Sequence, residues 1–170
     1  MSPEEAIALV DKFARDDEID RLLVEILRSP SPQTDRLEED PGVRDFVASI
    51  VAPRIESLTG QPPKLDSMGN LVWVPDAPSA SRAGGFLLMA YAMTYPPASM
   101  FDPYSGAVVS GEPFQIPGPC AWGRGACEQK GALAAMIAAA GILTRSGYPL
   151  REPFFLVVSL AGETGRHDAA

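Results

Sequence analysis

Histidine is almost missing from this chain of 170 residues: His167 is the only one. A metal centre built mainly on imidazoles is therefore out of reach of the chain's own residues. Cysteine is nearly as scarce, with only Cys120 and Cys127. Two thiols make no disulfide framework, and the acidic Met-Ser-Pro-Glu-Glu start has no apolar run behind a basic segment. Both points lead to the expectation of a cytoplasmic protein with reduced thiols. Basic residues are outnumbered, 14 Lys and Arg against 22 Asp and Glu, for a formal net charge of -8. That balance argues against nucleic acid or an anionic membrane surface as a partner, since both call for basic patches. The longest apolar stretch is interrupted at Gly141 and falls short of a bilayer span. Internal repeats and low-complexity tracts are absent too.

What is present suits one folded domain with a proper core: 46% of residues are hydrophobic and 21% charged. Ser2, Pro3 and Glu4 make a helix start, with a capping hydroxyl, proline in the first turn and acid near the positive end of the dipole. Helical spacing of apolar residues runs from Ile7 through Val10, Phe13, Ile19, Leu22, Leu23 and Ile26 to Leu27. Ser29-Pro30-Ser31-Pro32 ends it. Asp40-Pro41 begins a second helix carrying Val43, Phe46, Val47, Ile50, Val51, Ile55 and Leu58, with a kink expected at Pro53 and a stop at Gly60. Three apolar runs, 71–74, 86–91 and 154–160, read as strands of one sheet. Run 86–91 is so evenly apolar that it is expected at the centre, buried on both faces. Residues 95–121 are rich in Pro, Gly and Ser, which predicts a long loop with a short hairpin near Val108. The strongest helix signal covers 129–146, and Gly147 supplies its end. Strand, helix and strand in that order predict a right-handed parallel crossover and a three-layer α/β/α domain.

Segment 121–131 reads Ala-Trp-Gly-Arg-Gly-Ala-Cys-Glu-Gln-Lys-Gly. It resembles the G-R-G-x-x-D-x-K-G signature of the di-zinc family that includes acetylornithine deacetylase, succinyl-diaminopimelate desuccinylase, aminoacylase and glutamate carboxypeptidase. The resemblance runs in order over residues 19 to 170. Leu22 to Pro32 is similar to the family's opening helix and Ser-Pro turn, Asp66 to Val74 to its G-N-L strand, and Phe101-Asp102-Pro103 to its D-P-F segment. Gly162-Glu163-Thr164-Gly165 falls where the family carries a pair of glutamates. The resemblance implies the N-terminal part of a zinc-exopeptidase-like catalytic domain with a mixed, mostly parallel sheet. It implies that a lid or dimerisation domain and the C-terminal part of the catalytic domain lie outside residues 1–170. It also implies zinc, and a parent activity of metal-dependent hydrolysis of amide or peptide bonds in N-acyl amino acids or small peptides. Where the metal-site geometry is kept, the resemblance further implies a cis bond between Glu128 and Gln129, and a close approach of Glu128 to Glu163.

The departures fall on the chemistry. In the family a His and an Asp two residues apart serve the metals; here those positions hold Tyr91 and Met93. A phenol with pKa near 10 is a poor zinc ligand at neutral pH, and a thioether does not orient an imidazole. The bridging Asp is replaced by Glu128. The general-base position holds Gly162, so no catalytic side chain is assigned there. Only Glu128 and Glu163 remain as candidate metal ligands. Two carboxylates without imidazole or thiolate do not make a tight zinc site, though they suit a weakly held Mg²⁺ or Ca²⁺. His167 is read as a solvated residue past the glutamate position. Cys127 is read as a small apolar side chain, with Arg124 and Lys130 as the neighbours that would be needed to activate it. The aromatic residues Trp73, Trp122, Tyr91 and Tyr95 are read chiefly as core. Two functional expectations follow: a divergent hydrolase for small amino-acid or peptide-like substrates, impaired and without zinc as residues 1–170 stand, whose missing residues come from later sequence or a partner chain, or a non-catalytic binding module that keeps the fold.

Overall fold

The computed structural model describes residues 2–15, 17–36, 39–76, 85–150 and 152–162. Ser2 caps helix α1 (Pro3–Phe13) reciprocally: its hydroxyl accepts from the Glu5 N–H while the Glu5 carboxylate accepts from the Ser2 N–H. The chain then breaks, with Asp17 in a left-handed conformation, before α2 (Glu18–Leu27). The continuous apolar spacing therefore belongs to two helices with different fates. Helix α1 buries none of its residues, while α2 buries Leu22, Ile26 and Leu27. Arg145 holds the break in place, donating to Phe13 O at 3.0 Å and to the Glu18 carboxylate at 2.7 Å.

Asp40 caps the second helical stretch by accepting from the Gly42 N–H. That stretch runs as α3 (Pro41–Asp45), a π-helical turn (Phe46–Val51) and α4 (Ala52–Thr59). The wide turn is the expected effect of Pro53. Proline donates no N–H, so the ladder loosens just before it, and Ala52 N–H reaches back five residues to Val47 O. Gly60 ends α4 in the left-handed region.

A four-stranded mixed sheet follows, in the order β1 (Lys64–Leu65), β2 (Leu71–Trp73), β6 (Phe154–Ser159), β3 (Phe86–Tyr91). Between β3 and α5 (Gln129–Ser146) the chain forms a separate hairpin of β4 (Ala107–Ser110) and β5 (Pro119–Trp122). The hairpin expected near Val108 is thus present, inside the long Pro- and Gly-rich segment. The short strand β1 carries no apolar run and was not predicted.

The three apolar runs do share one sheet, but two expectations about it are corrected. The interior strands are β2 and β6, not β3. Strand β3 pairs only with β6 and forms an edge among the described residues. Of the sheet's pairings only β3 with β6 is parallel; β1 with β2 and β2 with β6 are antiparallel. The register explains why an even apolar run misled. Leu71, Trp73, Leu88, Ala90, Leu156 and Val158 share one face and join the core with α2, α3, α4 and α5. The opposite face carries Val72, Leu87, Met89, Phe155 and Val157, and there Leu87 and Met89 are more than half exposed. The run is apolar on both sides, yet only one side is covered among the described residues. A second helical layer is not among them.

Candidate functional site

Because β3 and β6 are parallel, their C-terminal ends lie on the same side of the sheet, with the N-terminus of α5 beside them. Open α/β sheets bind ligands in this position. The segment after β3 is anchored by the Ser-Pro turn. Ser31 Oγ donates to Ala92 O at 2.7 Å, and Pro32 bridges to Thr94. On the other side, Asn70 accepts from the Leu160 N–H just past β6. Asn70 and the neighbouring backbone amides also donate to Asp66. These bonds outweigh the desolvation of its carboxyl and hold it below the usual range.

The Gly-Arg-Gly turn is built on close approach. A side chain at Gly123 would press on Leu27, and one at Gly125, whose φ is +94°, would meet Thr94 and the Lys130 stem. Between them Arg124 fans out. It donates to Tyr95 O at 2.8 Å, lies over the Tyr95 ring, and pairs with Glu128 Oε1 at 2.8 Å. The second carboxylate oxygen, Glu128 Oε2, is buried with no hydrogen-bond partner. Lys130 is fully buried. Its ammonium donates to Ile26 O and to Ser29 O at the end of α2, and it sits 4.8 Å from the centre of the Phe46 ring. Burial pushes its pKa down to about 8.

Tyr91 and Gly162 meet at the strand ends. A Cβ built on Gly162 would fall 2.2 Å from Tyr91 Cγ, so the tyrosine ring occupies the room that any side chain at position 162 would need. Met93 is completely buried. Glu163 and His167 lie outside the described residues, so the expected approach of Glu128 to Glu163 has no geometry here. The Glu128–Gln129 bond is trans. Cys127 is exposed, not the buried small side chain expected from the sequence. Trp73 is core, as read, but Trp122 stacks on Phe114 at the hairpin, beside an apolar groove of about 400 Å³ lined also by Phe101 and Val109. A second crevice, of about 330 Å³, runs between β3 and α5 and is lined by Met89, Ala90, Tyr91, Glu128, Ala132 and Met136, along with Gln129. Both grooves join residues distant in sequence: segment 121–131 gives Glu128 to one and Trp122 to the other, and Phe101-Asp102 lines the second.

Zinc does not fit the described residues at its expected positions: three of these hold a phenol packed on glycine, a buried thioether, and a carboxylate already paired with arginine, and a fourth, Glu163, lies outside the described residues. Among the described residues no three His, Cys, Asp or Glu side chains come together to hold a metal ion. No helix among them is long and apolar enough to cross a membrane. No protein-family model matches the chain, and no curated protein matches it in sequence.

Proposed function

We propose that this chain is a metal-free relative of the di-zinc amidohydrolases, with the zinc-exopeptidase-like domain kept as a binding module in place of a hydrolase. The reading is carried by the Tyr91–Gly162 contact. In the family the residue corresponding to Gly162 supplies the general base, worth roughly 10²–10⁴ in rate. Here the ring of Tyr91, itself standing at a metal-ligand position, fills that space. One substitution removes a ligand, the other removes the base, and the two residues pack against each other. The Arg124–Glu128 ion pair adds to the case, because an arginine takes up charge that a bridging carboxylate would give to two cations.

The test is elemental analysis after dialysis against a mild chelator, together with assays on N-acetyl amino acids and dipeptides with added zinc. The expected outcome is no stoichiometric zinc and no metal-dependent hydrolysis. About one zinc retained per chain, or turnover that depends on zinc, overturns the proposal and restores the hydrolase reading.

A further inference from the structure

We propose that the groove beside the β4–β5 hairpin binds a small quaternary ammonium compound, a free molecule carrying a methylated nitrogen. The hairpin register builds the floor. Ala107 pairs with Trp122 and Val109 with Cys120, so these four side chains share one face, while Val108 and Ala121 take the other. The short turn Glu112–Phe114 brings Phe114 to the same groove, where it stacks on Trp122 with ring centres 5.7 Å apart. The loop after β3 adds Phe101 and Asp102 to the lining.

That loop is held before any ligand arrives. Trp122 Nε1 donates to Phe101 O at 2.9 Å, Arg124 N–H to Pro103 O at 2.7 Å, and Arg28 Nε to Ser105 O at 3.2 Å. The indole is thereby oriented, with its single donor already used. Walls fixed in advance lower the ordering cost of binding. The groove measures about 400 Å³, within the range of small-molecule sites.

The occupant follows from the charge and from the shortage of polar partners. Three aromatic rings, Phe101, Phe114 and Trp122, line the groove, and ring quadrupoles attract cations. Asp102 is the only ionisable side chain in the lining. It is exposed, and its carboxylate makes no hydrogen bond or ion pair among the described residues. The net charge of -8 favours a cation at long range. The two hydroxyls present, Ser105 Oγ and Ser110 Oγ, already accept from the Ala107 and Glu112 N–H groups. A primary ammonium brings three N–H donors to such a place, and a peptide main chain brings a donor and an acceptor per residue. A quaternary nitrogen brings no donor at all, and its methyl groups match the apolar walls. The groove shares no residue with the β3–α5 crevice, so the inference stands apart from the metal-free reading.

Choline is the probe, with ethanolamine and the neutral tert-butyl analogue of choline as comparisons. Binding is read by calorimetry and from tryptophan fluorescence. The chain has two tryptophans and Trp73 is 1% exposed, so the fluorescence response belongs to Trp122 and is expected to vanish in Trp122→Phe. Choline is expected to bind about tenfold more tightly than either comparison. Asp102→Asn is expected to weaken choline about threefold and to leave the neutral analogue unchanged. Asn tolerates the left-handed backbone at this position, where φ is +42°, so the loop is kept. Phe101→Ala, at a position 85% exposed, is expected to weaken choline about threefold with the urea midpoint unchanged.

No response to millimolar choline overturns the proposal. Equal binding of the neutral analogue would reduce the site to a plain apolar groove, and equal binding of ethanolamine would remove the quaternary assignment; either overturns it. Tighter binding of a trimethyllysine peptide, or of phosphatidylcholine vesicles, than of choline would move the occupant to a protein or a membrane and overturns it as well. Zinc retention bears on the metal-free reading alone.

Discussion

At position 162 a single hydrogen atom separates a fitting residue from a clashing one. A methyl group there would sit inside the van der Waals envelope of Tyr91 Cβ, Cγ and Cδ1. Overpacking of this kind costs about 1–3 kcal/mol when neighbours must shift. Gly162→Ala is therefore expected to destabilise the protein by about 2 kcal/mol. In a Tyr91→Gly background the same change is expected to cost near zero, because the obstructing Cβ and ring are both gone. Urea denaturation of the four members of this cycle measures the coupling. Additive effects would show that the two residues do not touch and would remove the main support for the metal-free reading. The same contact governs any attempt to rebuild a metal site, since Gly162→Glu has room only after Tyr91 is made smaller. None of this was legible in the sequence. Tyr91 and Gly162 could each be recognised as departures from the family pattern, but their mutual packing depends on the pairing of β3 with β6.

Among the elements, helix α5 is the one most plainly written in the sequence. Its Ala, Leu, Met and Ile content and its terminal Gly147 fixed both its position and its end. The Pro53 disturbance was legible for the same local reason, a missing donor. The place of β3 was not, because a strand that is apolar on both faces reads alike at the centre of a sheet and at an open edge. The role of Lys130 was also hidden: in sequence it belongs to a glycine-flanked motif, while in space it closes the end of α2. Its buried ammonium makes the α2–α5 junction sensitive to pH. The pKa is about 8 in the folded chain against 10.5 for the unperturbed group. Between those values the unfolded state binds more protons, so stability rises with pH across the window. The span corresponds to about 3 kcal/mol from full charge to full neutrality. Other groups titrate in the same range, so the measurement is a difference between wild type and Lys130→Met. The stability of wild type relative to the variant is expected to increase from pH 7 to pH 10.5. A flat difference would mean that the carbonyls of Ile26 and Ser29 and the Phe46 ring compensate fully for burial of the charge.

Taken as one body, the described residues form an asymmetric two-layer arrangement, with helices on one face of the sheet and a bare apolar face on the other. Contiguous exposed patches of this kind promote association unless charge keeps the molecules apart. Here the charge is large and of one sign, -8 at neutral pH, and it falls toward zero near the sequence pI of about 4.6. The repulsion should therefore fail at mildly acidic pH while the apolar face remains. Light scattering is expected to show the chain associating as the pH is lowered from 7 toward 4.6, and more so at high salt, where residual repulsion is screened. Leu87→Glu and Phe155→Glu together place two carboxylates on that face without touching the core, since both side chains point away from the helices. They also shift the charge balance, so the control is a variant with two added carboxylates on α1, whose residues are all unburied, at Ile7 and Val10. If the bare sheet face drives association, the Leu87/Phe155 variant stays dispersed at a pH where the α1 control, with the same net charge, still associates. Equal suppression by both would assign the effect to net charge and leave the apolar face without a part in it.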